Sequence, residues 1–249
     1  ISKIITLAVA LEICGFDQVF KKVGMEPTGD PFNSLMKLEN TDSSPYNPMI
    51  NAGAIVVASC LASEISFDTM LDTIRALCMD PDINLDKKVY HSEMSHISRN
   101  RAIAYLLESK GYIEKNKDVE NSLHFYVKMC SLSVTAESLA GLGLILANDG
   151  IHPDTGKRLL SSQAVKIVKT LMFTCGMYDG SGEFAVRVGI PSKSGVGGGI
   201  LSVVDGEMGI GIFGPALDKK GNSVAGECVL EYMSHELHLH MFDPQRHTL

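Results

Sequence analysis

Four segments of this 249-residue sequence are polar or glycine-rich where a plain scaffold needs neither. Amides, a tyrosine and a lysine in such segments are groups that can bind and turn over a small polar molecule. Each segment also has a purely structural explanation: asparagines capping a helix, arginines on a solvated helix face, a tyrosine buried in a turn, and glycines that admit close backbone packing. The segments are Asn47–Ala54, Ser98–Arg101, Cys175–Asp179 and Lys193–Gly199.

The tripeptide Lys193-Ser194-Gly195 stands just before a predicted strand. In serine hydrolases of the penicillin-binding type, a K-[ST]-G strand borders the active site, and its backbone N–H helps to form the oxyanion hole. Such enzymes also need S-x-x-K at the start of a buried helix, so that serine and lysine face one another one turn apart. Lys3 begins such a helix. We therefore expect its serine partner three residues earlier, before Ile1, since the adjacent Ser2 points away from Lys3.

One complete S-x-x-K occurs within the sequence, from Ser34 to Lys37. It lies in a long loop next to Pro31, and no apolar helix follows it. We interpret this match as chance and predict that Ser34 is not a nucleophile.

Hydrophobic patterning predicts the elements that position these residues. The densely apolar stretches 3–14 and 50–63 indicate two largely buried helices. Residues 199–204 and 208–214 indicate two strands joined by a tight turn at Asp205-Gly206. Helices segregated from an antiparallel hairpin are typical of an α+β fold, whose remaining strands we expect in an N-terminal part. Further helices are predicted over 17–23, 66–78, 92–109, 118–130, 135–148, 162–173 and 223–240, with 25–49 as a long loop and 80–90 as a polar connection.

Many ordered motifs along the whole chain resemble the serine-dependent glutaminases, particularly the bacterial members. The resemblance implies a β-lactamase-like α+β fold and a single catalytic domain over residues 1–249, lacking its N-terminal part. The motifs are ISKIITLAVALE, GMEPTGDPFNS, NPMINAGAIVV, SRNRAIAYLL, YVKMCSLSVTAESLA, LANDGIHPDTGKRLLS, CGMYDGSGEFAVRVGIPSKSGVGGGI and GPALDKKGNSVAG.

The resemblance implies hydrolysis of L-glutamine to L-glutamate and ammonia through a Ser-Lys acyl-enzyme, without metal or cofactor. The nucleophile would be the serine three before Lys3, and the lysine would take its proton. The backbone N–H of Val196 would bind the oxyanion, and Tyr178 or Tyr126 would relay a proton to the departing ammonia. The residues expected to line one pocket with Lys3 are Asn51, Glu93, Asn100, Tyr126, Tyr178 and Val196.

Composition excludes several other classes of function. The net charge of −7 and the absence of a basic cluster argue against nucleic acid as a partner. No run of about 18 apolar residues indicates a membrane span. Six scattered cysteines without a C-x-x-C pair are typical of buried free thiols in a reducing cytoplasm. Only two of His235, His238 and His240 share a helix face, so a solvated tail is favoured over a metal site.

Two alternatives to a glutaminase remain at this stage. A β-lactamase or peptidoglycan peptidase shares the Ser-Lys chemistry and the K-S-G tripeptide, but has no reason for Glu93, which would bind an α-ammonium. A non-catalytic amino-acid-binding module would keep the binding residues without the nucleophile. The family resemblance and the abundant apolar helix surface also predict a homo-oligomer, a dimer or tetramer.

Overall fold

The computed structural model describes residues 1–29, 44–115 and 118–246. These residues form two units, each of which is described by itself. The helical unit comprises residues 2–75 and 81–133, and the sheet unit comprises Ile1, residues 76–80 and residues 134–246. Ser34 and most of the predicted 25–49 loop lie outside the described residues.

The helical unit is built almost entirely of helices, with one short antiparallel ladder between β1 (Asn84–Leu85) and β2 (Leu132–Ser133). The last three residues of its fourth helix belong to the sheet unit. The helices are α1 (Ser2–Ile13), α2 (Phe16–Phe20), α3 (Asn51–Ala62), α4 (Phe67–Cys78), α5 (Lys87–Ser95), α6 (Ser98–Ser109) and α7 (Val119–Cys130).

The centre of this unit is α3, which is buried on every side from Asn51 to Leu61. Its small residues let the surrounding helices α1, α6 and α7 approach closely. A Cβ atom at Gly53 would lie only 2.0 Å from the carbonyl oxygen of Asn47, so only glycine lets the preceding turn fold back onto the helix. The sequence prediction of two buried helices, α1 and α3, is confirmed.

The sheet unit holds a three-stranded antiparallel sheet of order β3-β4-β5, formed by Ser192–Ser194, Gly199–Val204 and Met208–Phe213. Its helices are α8 (Ala136–Ala147), α9 (Ser162–Cys175), α10 (Ser181–Arg187) and α11 (Val224–Glu236), with a 3-10 turn at Tyr178–Gly180. The central strand β4 is apolar at most positions because it is buried on both faces. The predicted α+β class and the hairpin at Asp205-Gly206 are both confirmed.

Helix α8 covers one face of the sheet, where Leu201 contacts Gly143. A Cβ at Gly211 would lie 1.9 Å from the carbonyl oxygen of Ala136, so the glycines of β5 allow the helix to lie directly on the strand. The opposite face packs Ile200 and Val204 against Leu230 of α11 and Phe184 of α10. Alternate residues of β4 therefore pack into two apolar layers, one on each face of the sheet.

The single helix predicted over 92–109 is wrong, and the polar connection predicted over 80–90 is wrong from Lys87 onward, where α5 begins. Two helices, α5 and α6, occupy this stretch, and they are separated at His96 and Ile97. Asp86 starts α5, because its side chain accepts hydrogen bonds from the backbone N–H groups of Lys88 and Val89. That capping aspartate was the signal in the sequence for an earlier helix start.

The glycine-rich stretch 176–199 holds a strand and a helix that were not predicted. Strand β3 consists of Ser192, Lys193 and Ser194, which carry no apolar alternation. Helix α10 begins beside Gly180 and Gly182, and it is held by the burial of Phe184 in the core. In both cases tertiary burial overrides weak local propensity.

No single helix in the described ranges is long and apolar enough to cross a membrane. The pair α3 and α4, bent by 113° at their junction, meets the length and composition test only when taken together.

Candidate active site

Lys3 lies in the first turn of the buried helix α1, as the sequence predicted. Burial lowers the pKa of Lys3 from its ordinary value, and the charge interaction with Cys130 opposes that effect more weakly. A lysine whose charged form is disfavoured can accept a proton from a neighbouring hydroxyl. Lys3 is therefore chemically suited to act as a general base.

Cys130, at the end of α7, lies against the start of α1, which the sequence did not reveal. The hydroxyl of Ser2 donates to its sulfur at 3.8 Å. All six cysteines are free thiols, but Cys130 and Cys228 are exposed, so the prediction of buried thiols is wrong for these two. Tyr126 lies one turn before Cys130 on the same face of α7, and it is buried.

Asn51 and Asn100 meet directly in the helical unit. The amide of Asn51 donates to the side-chain oxygen of Asn100 at 3.0 Å. Asn51 is the first helical residue of α3 rather than its cap, which is Ile50 and makes no side-chain capping bond. The capping interpretation of Asn51 is therefore wrong, and its amide is used in a contact between α3 and α6.

Asn47 also makes no helix cap. Its side-chain oxygen accepts from the backbone N–H of Met49 at 2.9 Å, and its amide donates to the carbonyl of Glu26 at 2.8 Å. Asn47 thus holds the turn before α3, so Asn51 is not needed for that turn.

In the SRNRA segment, Arg101 forms a bidentate pair with Glu120 of α7, which orients α6 and with it Asn100.

Glu93 lies in the last turn of α5, with an exposed side chain. The sequence had placed this carboxylate near the start of a helix, and that placement is wrong because the predicted helix is two helices. Its backbone carbonyl accepts from the N–H of His96, at the break between α5 and α6.

Tyr178, in the sheet unit, adopts a left-handed backbone conformation with φ of 55°. Such a φ is uncommon for a residue with a side chain and is found where surrounding contacts hold it. The hydroxyl of Ser181 donates to the carbonyl of Tyr178 and accepts from the N–H of Met177. The amide of Asn222 donates to the carbonyl of Met177 at 3.4 Å. Tyr178 is therefore fixed from two sides of the turn.

Val196 occupies the turn between β3 and β4 and is exposed. A Cβ built on Gly221 would lie 3.6 Å from both the Tyr178 ring and a methyl of Val196, so both side chains border Gly221. The loop carrying Gly221 is anchored by Lys220, whose ammonium lies 2.9 Å from the carboxylate of Glu183. Ile1 also belongs to this unit, and its backbone nitrogen would lie 3.3 Å from a Cβ at Gly195.

The C-terminal histidines do not form a cluster with one another. His235 pairs with Glu236 and His238 with Asp243, while a ring nitrogen of His240 accepts from the N–H of Phe242. In the described part of the chain, no group of three or more His, Cys, Asp or Glu residues is arranged to hold a metal ion.

The glutaminase family model matches residues 1–242. The chain belongs to the glutaminase family. It is 53% identical over 246 residues to the glutaminase of Fusobacterium nucleatum subsp. nucleatum, covering 97% of this chain and 80% of that protein. A glutaminase of Clostridioides difficile shows the same 53% identity, over 97% of this chain and 79% of its own length.

Among solved structures, a probable glutaminase of Bacillus subtilis superimposes with a TM-score of 0.91 at 40% identity, over 97% of this chain and 81% of that one. The Bacillus subtilis protein and a second Bacillus glutaminase of known structure have the β-lactamase-like fold, so the predicted fold is confirmed. The prediction of a glutaminase-type amidohydrolase, rather than a β-lactamase or peptidase, is likewise confirmed. The assignment of individual site residues and of a single catalytic domain stays a prediction.

Proposed function

We propose that this protein hydrolyses L-glutamine to L-glutamate and ammonia through a serine–lysine acyl-enzyme. The observation that carries the proposal is Lys3: a lysine in the first turn of a buried helix, whose pKa burial lowers. The Lys3 side chain is half-buried there, and its desolvation disfavours the charged form. Family membership and the named glutaminase relatives supply the substrate.

The first half-reaction forms an ester. A serine three residues before Lys3, in the preceding part of the protein, attacks the side-chain amide carbon of glutamine while Lys3 takes the hydroxyl proton. The negative oxygen of the tetrahedral intermediate accepts hydrogen bonds from the backbone N–H groups of Val196 and of that serine. A donor of this kind typically lowers the barrier by about 2.7–4 kcal/mol.

Collapse of the intermediate breaks the carbon–nitrogen bond. The leaving nitrogen receives a proton through Tyr178 or Tyr126 and departs as ammonia. Water then attacks the ester carbonyl while Lys3 takes one of its protons. The water oxygen stays in the carboxylate of glutamate, the carbon–oxygen bond to serine breaks, and Lys3 passes the proton to the serine oxygen. The serine proton that left with ammonia is thus replaced by one from water, and no step changes an oxidation state, so the reaction needs no redox partner.

Substrate recognition rests on the two charges of the free amino acid. Asn51 and Asn100 donate N–H groups to the α-carboxylate, and Glu93 accepts from the α-ammonium. The Asn51–Asn100 hydrogen bond supports the first assignment, because it orients the two amides together.

The proposal is tested by the products and by covalent labelling of the full-length protein. Ammonia and glutamate should appear in equal amounts from glutamine, with slow or no turnover of a chromogenic β-lactam. A Bacillus subtilis glutaminase forms a covalent complex with 5-oxo-L-norleucine after reaction with 6-diazo-5-oxo-L-norleucine, at 37% identity to this chain. The same reagent should label this protein on the serine three residues before Lys3, and not on Ser2, as peptide mass mapping would show. Binding of glutamine without product or label would favour a non-catalytic amino-acid-binding module.

We further propose a cytoplasmic homo-oligomer, a dimer or tetramer. The family resemblance and exposed apolar side chains such as Tyr232 on α11 motivate this assembly. Light scattering on the full-length protein at micromolar concentration checks it, and a monomer mass would contradict it.

A further inference from the structure

Lys193 is buried, with only 1% of its surface exposed, and the proposed chemistry does not use its side chain. Burying an ammonium is costly unless its protons find acceptors. Two backbone carbonyls accept from it: that of Gly176 at 3.2 Å and that of Ser194. These two hydrogen bonds fix the position of the Lys193 ammonium beside the short buried strand β3.

That position is set by the end of α9. Gly176 follows the last helical residue, and its carbonyl lies at the negative end of the helix, which favours a cation there. The same carbonyl also accepts from the N–H of Ser194 at 3.1 Å. A Cβ at Gly176 would lie 1.8 Å from the carbonyl oxygen of Ser192, so only glycine lets the helix end lie against β3.

The ammonium of Lys193 lies over the ring of Tyr178, at 4.4 Å from the ring centre. A cation at this distance is attracted to the face of an aromatic ring, and the attraction is stronger when both groups are desolvated. Tyr178 follows Gly176 by two residues, so one helix end places both the acceptor of the lysine and the tyrosine that it contacts.

We propose that Lys193 is a positioning residue: its ammonium holds the ring of Tyr178, and thereby the phenol hydroxyl, in the orientation that the reaction uses. This inference rests on the proposed function, which gives Tyr178 a role at the substrate. The hydrogen bonds of Ser181 act on the backbone of Met177 and Tyr178, whereas the Lys193 ammonium contacts the ring itself. The cation on the ring face supplies that restraint.

The kinetic test is a double-mutant cycle in the full-length protein with Lys193→Met and Tyr178→Phe. Lys193→Met should lower kcat by about tenfold or more, with KM changed by less than about twofold. In the Tyr178→Phe background the same change should cost less than about twofold, because the hydroxyl that Lys193 positions is gone. The proposal would be overturned if the kcat losses of the two single variants multiplied in the double variant. It would also be overturned if Lys193→Met changed only KM, or if Tyr178→Phe kept full activity. Lys219→Met, at an exposed lysine of a neighbouring loop, is the matched control and should leave kcat unchanged.

A measurement without substrate separates this inference from the glutaminase proposal. In ring-labelled protein, nuclear magnetic resonance should show slow ring rotation at Tyr178 and fast rotation at Tyr232, whose ring is exposed. Lys193→Met should speed the rotation at Tyr178 alone. Equally fast rotation of both rings in the unmodified protein would overturn the positioning role, even if Lys193→Met does not fold. If the Tyr178 ring rotates slowly but the protein does not hydrolyse glutamine, the proposed function is wrong and the positioning role of Lys193 still stands.

Discussion

Asn51 donates its side-chain amide to the side-chain oxygen of Asn100, joining the first turn of α3 to the first turn of α6 at 3.0 Å. The bond leaves one N–H of Asn51 and both N–H groups of Asn100 to donate elsewhere. Two amides oriented together in this way are suited to a carboxylate. The pairing also explains why a buried asparagine begins a helix without capping it.

Asn100→Ala should raise KM for glutamine by about tenfold or more, because a hydrogen bond to a charged group contributes about 1.5–3 kcal/mol. The value of kcat should change less. Steady-state kinetics of the full-length enzyme measure both constants. Asn121→Ala, an exposed asparagine of α7, is the control, and equal kinetics for the two variants would remove Asn100 from the site.

Glu93→Gln should also raise KM sharply while preserving the fold, since the neutral amide loses the charge that holds the α-ammonium. The effect should vanish for a substrate analogue that lacks the α-amino group. Glu64→Gln, at another exposed glutamate of the helical unit, should match the unmodified enzyme. Unaltered glutamine kinetics in Glu93→Gln would show that the ammonium is held elsewhere.

Lys3→Met should abolish turnover, with a loss of about a thousandfold or more, because the general base is removed. The same change should raise stability at neutral pH. Burial lowers the pKa of folded Lys3, so the unfolded chain binds that proton more tightly between the two pKa values, and stability rises with pH across that interval.

The stabilisation from Lys3→Met should therefore shrink as the pH approaches the ordinary lysine pKa of about 10.4. Thermal unfolding at a series of pH values measures it. Lys21→Met, at an exposed lysine, should show no such trend. A constant difference in melting temperature between Lys3→Met and the parent would mean that Lys3 keeps an ordinary pKa.

Gly176→Ala should destabilise the protein by about 3 kcal/mol, because the added methyl would lie 1.8 Å from the carbonyl oxygen of Ser192. Denaturant unfolding gives the difference. Gly182→Ala adds the same methyl where no atom lies within 4 Å, and in a helix alanine is favoured, so stability should hold or rise. Similar losses for both variants would show that Gly176 tolerates a side chain.

The strongly patterned elements could be predicted from the sequence alone. Helices α1, α3, α7 and α8 follow dense apolar stretches, and the Asp205-Gly206 pair marks the hairpin. Thr135 is a typical capping residue just before α8, and its side chain accepts from the N–H of Ser138. These elements are specified locally, because periodicity, caps and turn residues act over a few positions.

What the sequence determined by itself is thus the α+β class, the family and the identity of the candidate residues. Only the tertiary structure decided their partners: Asn100 for Asn51, Cys130 for Ser2, and the ring of Tyr178 for Lys193. Those pairs join positions far apart in the chain, or depend on a helix end lying against a strand with no apolar pattern. Burial and close backbone approach are properties of the assembled fold, so no local pattern can encode which polar groups will meet there.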